Sequence, residues 1–235
     1  NPDHWKLFAE LGWLAIPFSE DMGGLDGGDV DLSLMFEEFG KSIVIEPYLA
    51  NVVLSGGVLK RCDHENKSDL IESLIAGEAQ FSLANYEPQK GFNLDNVDCE
   101  ISSDGTVNGI KTTVLNAPNA DHFLVFGKHG SSHAFALVSK DAEGLNVTSY
   151  KTYDGFVSGD IKLDNVKSEA VFSKNDALEI LTEAILEGII SVSSEAIGAM
   201  EKCYKLTIEY TQQREQFGQS LSKFQALQHR MVDMF

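Results

Sequence analysis

Arg214–Glu215–Gln216–Phe217–Gly218, with Phe224–Gln225–Ala226–Leu227–Gln228–His229 close behind, gathers a guanidinium, aromatic rings and several amides around one glycine bend. A guanidinium is a permanent planar fork of donors suited to diphosphate or carboxylate. An aromatic ring offers its face to a flat partner, and amides both donate and accept. The chemistry within reach is capture of a flat, anionic ligand. The same residues also have a purely structural reading. Arg214 can pair with Glu209 or Glu215, Phe217 can belong to a core, and Gln225 can complete the capping box Ser222–Lys223–Phe224–Gln225.

Other candidate chemistry is weaker. The loop Asp21–Met22–Gly23–Gly24–Leu25–Asp26–Gly27–Gly28 is rich enough in glycine to cradle phosphate. No strand precedes it and no Gly-Lys-Ser/Thr closes it, which favours a helix connector. His129 and His133 are four residues apart, but without a helix or a third ligand they read as a solvated hairpin tip, and no metal is expected. Cys62, Cys99 and Cys203 are scattered, with no C-x-x-C pair. That pattern predicts a reducing compartment, a cytoplasmic location and no disulfide framework.

Thirty-six acidic against 18 basic side chains give a net charge of −18. Nucleic acid is an unsuitable partner for such a surface, because tracking phosphates needs a basic stripe. No apolar run reaches the length of a membrane span, so no membrane association is expected. The 43% apolar content suits a packed globular chain. It begins at Asn1 without methionine and stops at Phe235 inside an apparent helix, which suggests trimming at both ends.

The elements that must position these residues fall into three blocks. Residues 1–79 predict a helical domain: Trp5–Leu14, a helix capped by Asp29 or Asp31 and ended by Gly40, one from Pro47 to Arg61, and one over Asp69–Ala76 capped by Ser68 with Gly77 as its exit. Residues 80–173 predict a β-domain of short strands. Phe81–Asn85, Val97–Ser102, Lys111–Leu115, His122–Phe126, His133–Val138, Leu145–Tyr150 and Gly159–Leu163 are its strands, with Asp104–Gly105 and Asn108–Gly109 as turns. The turn density suits an antiparallel barrel or sandwich. Residues 174–235 predict the first helices of a bundle. A long one, capped by Ser173 or Asn175, carries apolar residues three or four apart to about Gln212, with Gly188 and Gly198 placed for close packing. The fold class is therefore α+β and multidomain: a helical domain, a middle antiparallel β-barrel or sandwich, and a C-terminal helical bundle.

Several stretches, in order, resemble the acyl-CoA dehydrogenase family. They are Leu11–Gly12 through Pro17 to Gly23–Gly24; Tyr86–Glu87–Pro88; Gly109–Ile110–Lys111 with Asn116–Ala117; Asp164–Asn165–Val166; and Arg214-x-x-Phe217–Gly218 with Phe224–Gln225. Glu46–Pro47–Tyr48–Leu49, Glu195–Ala196–Ile197–Gly198–Ala199–Met200 and Phe224–Gln225–Ala226–Leu227–Gln228–His229–Arg230 resemble the small subunit of pimeloyl-CoA-dehydrogenase-type heteromers. The resemblance implies a helical, β and helical-bundle fold with FAD lying across a dimer interface. It assigns Arg214, reaching into a neighbouring subunit's FAD, to the diphosphate, Phe217 to the adenosine end, and Gln216 and Gln225 as amide partners. It places Leu83, Asn85 and Tyr86 beside the isoalloxazine. Here the sequence departs from the family pattern, with Phe92 where a serine is usual and Thr113 and Leu115 where a tryptophan and a hydroxyl residue are usual.

The implied reaction is α,β-dehydrogenation of an acyl-CoA thioester, with a homologous dehydrogenase subunit in a homo- or hetero-tetramer as partner. An electron-transferring flavoprotein is the implied acceptor. In some relatives the carboxylate base falls at Gly188, so Glu187 and Glu183 are the neighbouring carboxylates; no catalytic residue is assigned. The alternative is a non-catalytic, flavin-poor structural or CoA-binding subunit that supports a partner dehydrogenase.

Overall fold

The structure, a computed structural model, describes residues 2–173 and 176–235. Its contacts divide into two compact units, one of Asn1–Asp31 with Ile45–Ile189, the other of Leu32–Val44 with Ile190–Phe235. No helix among the described residues is long and apolar enough to cross a membrane.

In the larger unit, α1 (Pro2–Glu10) buries Trp5 and Phe8. It stops four residues before the expected Leu14, because Gly12 takes a left-handed φ of 73° and residues 13–15 form a 3₁₀ turn. The segment from Leu49 to Arg61 is helical as expected, but Leu49–Ser55 is wound as a π-helix before α3 (Gly56–Arg61). The π-helix is almost wholly buried, and its Asn51 Oδ1 accepts the Phe81 N–H at 2.7 Å. Helix α4 (Lys67–Ile75) starts one residue before Ser68, with Asn66 at the N-cap position, and Gly77 at φ 72° is its exit.

One mixed sheet follows: β1 (Phe81–Ala84), β2 (Glu100–Ile101), β3 (Thr106–Leu115), β4 (His122–His129), β5 (Ser132–Ser139), β6 (Leu145–Lys151), β7 (Val157–Lys167) and β8 (Ala170–Phe172). The order is β6-β7-β3-β2-β4-β5-β8, with β1 also on β4. Most pairs are antiparallel, as expected, but β1 and β2 both pair with β4 in parallel. The chain from Ala84 to His122 is long enough for the crossover a parallel pair needs. Phe123, Val125, Ala134, Ala136, Val107, Ile161 and Leu163 fill the core this sheet encloses.

Asp104–Gly105 is the expected hairpin turn, with Gly105 at φ 80°. Asn108–Gly109 is not a turn. It is a bulge inside β3, where a Cβ on Gly109 would lie 2.8 Å from Cys99 Cα. Ser173 does not cap the following helix; its N–H donates to Asp63 Oδ1 at 2.6 Å. Asn175, the other expected cap, lies outside the described residues. Helix α5 spans Ala177–Gln213, as the apolar spacing predicts.

In the smaller unit, α2 (Asp29–Ser42 over its full length) continues two residues past Gly40, the expected end. Ile43 turns it off at φ 52°, and Val44 N–H reaches back to Phe39 O at 3.1 Å. Gly40 serves packing instead. A Cβ there would lie 1.9 Å from Glu195 O, and a Cβ on Gly198 would lie 1.9 Å from Glu37 O. The two glycines bring the backbones of α2 and α5 into contact, with Lys41 bridging Glu38 and Glu201 beside them. After α5 come the short hairpin β9 (Glu215–Gln216) and β10 (Gln219–Ser220), then α6 (Gln225–Met234).

Candidate functional site

Arg214 closes the last turn of α5, its N–H donating to Tyr210 O at 2.9 Å. Phe217 and Gly218 form the hairpin tip with φ of 56° and 78°. Two successive left-handed residues are what a tight hairpin demands, and a phenylalanine there is strained. Phe217 is 89% exposed, its ring edge-on to Phe224 at 6.1 Å. Among the described residues no carboxylate lies within ion-pairing distance of Arg214, so neither Glu209 nor Glu215 claims it. Gln216 Nε2 donates to Glu215 O at 2.8 Å, and Gln225 is the exposed first residue of α6.

The expected capping box is absent. Leu221–Lys223 forms a 3₁₀ turn, Phe224 is the N-cap, and Ser222 Oγ meets Ser220 Oγ at 3.0 Å. Gln225 is thus not consumed as a cap.

The second cluster lies where β1 ends, in the larger unit. Leu83 is buried, and Asn85 is 9% exposed with its Nδ2 buried and unpartnered. Tyr86 follows, its ring edge-on to Phe92 at 6.1 Å. The segment is anchored by an ion pair between residues 24 positions apart, which no local pattern marks. Lys111 Nζ lies 2.7 Å from Glu87 Oε1 and 3.2 Å from Asn85 O. Glu87 also accepts the Asp98 and Cys99 N–H groups. Only the motif positions of Glu87 and Lys111 carried any signal for this pairing.

Across from it, Thr113 is exposed at φ 54°, and Leu115 is half-buried. Thr112 N–H donates to Tyr86 O at 2.9 Å. Nothing local in the sequence marks Asp160, which sits on β7 against this bulge.

The remaining candidates are committed elsewhere. Glu183 and Glu187 grip Arg61 at 2.6 and 2.5 Å, and Lys60 adds a contact to Glu187 at 3.0 Å. Burial pushes the Glu187 pKa up, but Arg61 and Lys60 outweigh it and hold it below the ordinary value. A depressed, doubly paired carboxylate is a poor base. In the glycine-rich loop the N–H groups of Gly24, Leu25, Asp26 and Gly27 bond to carbonyls of residues 15–19, leaving none of the four for phosphate. His129 Nδ1 meets Ile101 O and His133 stacks on Phe126. No group of three metal-ligating side chains occurs among the described residues.

FAD would present a diphosphate, a flat ring and a polar ring edge. The turn fits the first two, with an unclaimed guanidinium and an exposed ring. The β1 end offers one uncommitted buried donor, Asn85 Nδ2, but Thr113 supplies no aromatic face and Leu115 no hydroxyl.

The sequence profile of the acyl-CoA dehydrogenase N-terminal domain matches residues 1–78, and that of the C-terminal domain matches residues 176–235. Probable acyl-CoA dehydrogenase YngJ of Bacillus subtilis is 30% identical over 98% of this chain and 65% of its own length. PigA with FAD and proline superposes with a TM-score of 0.90 at 25% identity, over 100% of this chain and 66% of that one. The ChsE4-ChsE5 complex from Mycobacterium tuberculosis gives 0.84 at 26%, over 99% and 64%. The chain spans 60% to 65% of the curated relatives it matches. With both domain profiles matched and its own length superposing on the family's solved structures, the chain belongs to the acyl-CoA dehydrogenase family.

Proposed function

We propose that the protein is a subunit of an FAD-dependent acyl-CoA dehydrogenase that catalyses α,β-dehydrogenation of an acyl-CoA thioester. The observation that carries this reading is the unclaimed Arg214 guanidinium on a strained, exposed turn. Arg214 would hold the FAD diphosphate by a charge-assisted fork, Phe217 would support the adenosine end, and Gln216 and Gln225 would supply amide contacts. Leu83, Asn85 and Tyr86 would stand beside the isoalloxazine of an FAD whose diphosphate a neighbouring subunit's turn reaches. When bound, the flavin supplies a hydride acceptor for the β-hydrogen. Glu183 and Glu187 are held by Arg61, so no catalytic base is assigned to this chain.

The partner in this reading is a homologous dehydrogenase subunit, and the small-subunit motifs favour a heteromer. The similarity to one chain of a ChsE4-ChsE5 complex supports this. An electron-transferring flavoprotein is the acceptor, and the cytoplasm is the location, consistent with three free cysteines. A second reading, a flavin-poor subunit that supports a partner dehydrogenase, is favoured by Thr113, Leu115 and Phe92 at the ring end.

FAD titration of the full-length assembled protein tests the proposal. Arg214→Ala should weaken binding about 10- to 100-fold, the scale of one charged hydrogen-bonding group, and Arg214→Lys should recover part of it. Unchanged affinity in Arg214→Ala would overturn the assignment.

A further inference from the structure

Asp160 gathers three donors on one carboxylate oxygen. Thr112 Oγ1 lies 2.8 Å from Asp160 Oδ1, Thr113 N 3.0 Å, and Tyr150 Oη 3.0 Å. These contacts meet where β3 breaks register, between Lys111 and Val114. They also meet where Thr113, a β-branched residue, is held at φ 54°. Such a conformation persists only where its surroundings over-determine it. Asp160 supplies that constraint from β7, by taking both the Thr113 N–H and the neighbouring hydroxyl.

The bulge in turn carries the segment at the end of β1. Thr112 N–H donates to Tyr86 O, and Lys111, the residue before it, holds Asn85 O and Glu87. Residues 85–87 are therefore gripped by two consecutive positions of β3, Lys111 and Thr112, and the Thr112 end of that grip is fixed by Asp160. The three donors outweigh the cost of partial burial and keep the Asp160 carboxyl ionised below its ordinary range, so it acts as an acceptor throughout the neutral region.

We infer that Asp160 is a positioning residue: through the Thr112–Thr113 bulge it sets the placement of Asn85 and Tyr86 at the ring end of the cofactor site. This rests on the proposed FAD reading. Asp160 touches no ligand in this scheme. It works as the supporting partner that fixes a contact residue.

Two measurements on the full-length assembled protein test it. The first needs no flavin: amide hydrogen exchange at Thr112 and Thr113, compared between wild type and Asp160→Ala. Exchange at both should accelerate at least about tenfold, because the N–H of one loses its acceptor and the other loses the bulge that orients it. Asp160→Asn, which retains Oδ1, should stay near wild type. The second is FAD titration with the visible circular dichroism of the bound flavin. Asp160→Ala should weaken binding by roughly tenfold, a scale at which supporting partners act, and shift the flavin band, with Asp160→Asn restoring both.

Asp104→Ala, at the distant β2–β3 hairpin, is the stability control. If its FAD loss and band shift match those of Asp160→Ala at an equal loss of Tm, Asp160 is merely structural and the inference fails. Wild-type exchange at Thr112 and Thr113 in Asp160→Ala also overturns it. If wild type itself binds no FAD, the cofactor reading fails, and the exchange result alone decides whether Asp160 holds the bulge.

Discussion

Lys111 Nζ lies 2.7 Å from Glu87 Oε1, and the lysine side chain is 0% exposed. Two charges are kept out of water by mutual pairing and by the backbone groups around them: the Asn85 carbonyl on the lysine, the Asp98 and Cys99 N–H groups on the carboxylate. The pair closes the base of the loop that carries Tyr86 and Phe92.

Removing one partner strands the other. Lys111→Met should destabilise the protein by about 3–5 kcal/mol, the usual result of leaving one member of a buried pair. Chemical denaturation of Lys111→Met, Glu87→Gln and the double variant would check this. The double variant should recover part of the single-variant loss, because no uncompensated charge remains.

Gly198→Ala should cost about 1–3 kcal/mol by overpacking, since the new methyl would overlap Glu37 O. Gly40→Ala should behave alike against Glu195 O. Gly28→Ala is the control, because a Cβ there meets nothing within 4 Å and should change stability by less than about 0.5 kcal/mol. Thermal melts of the three variants measure the difference.

The Arg61–Glu187 contact makes a pH-dependent prediction. Glu187 is held below the ordinary glutamate value of 4.5. Its contribution is therefore full above that value and fades as pH falls through the lower folded value. Glu187→Gln should lose about 1–3 kcal/mol near pH 7 by leaving Lys60 and Arg61 short of a carboxylate. The gap between wild type and variant should narrow as pH drops below 4.5, as Tm measured from pH 7 to pH 3 would show.

Legibility in the sequence followed locality. α5, the α2 core and the Asp104–Gly105 hairpin declare themselves through apolar spacing and turn residues within a few positions, and the structure has each of them. The Arg214–Gly218 turn was visible for the same reason. What escaped depends on distant partners. The parallel pairing of β1 with β4 is set by a crossover. The Asn108–Gly109 bulge arises because Cys99 approaches from another strand. Gly40 looked like a helix stop because its packing partner, Glu195, is far along the chain. Arg61, Lys111 and Asp160 make their contacts with residues 24 to 126 positions away, and no periodicity marks such pairs.

The proposed role of the Arg214 turn is to hold FAD. The most direct measurement is the flavin content of the full-length assembled complex, read from its visible absorbance after exhaustive desalting, for wild type and Arg214→Ala. The assembly should stay intact in both, with a marked loss of FAD in the variant. An Arg214→Ala complex that keeps the wild-type complement of FAD would contradict it.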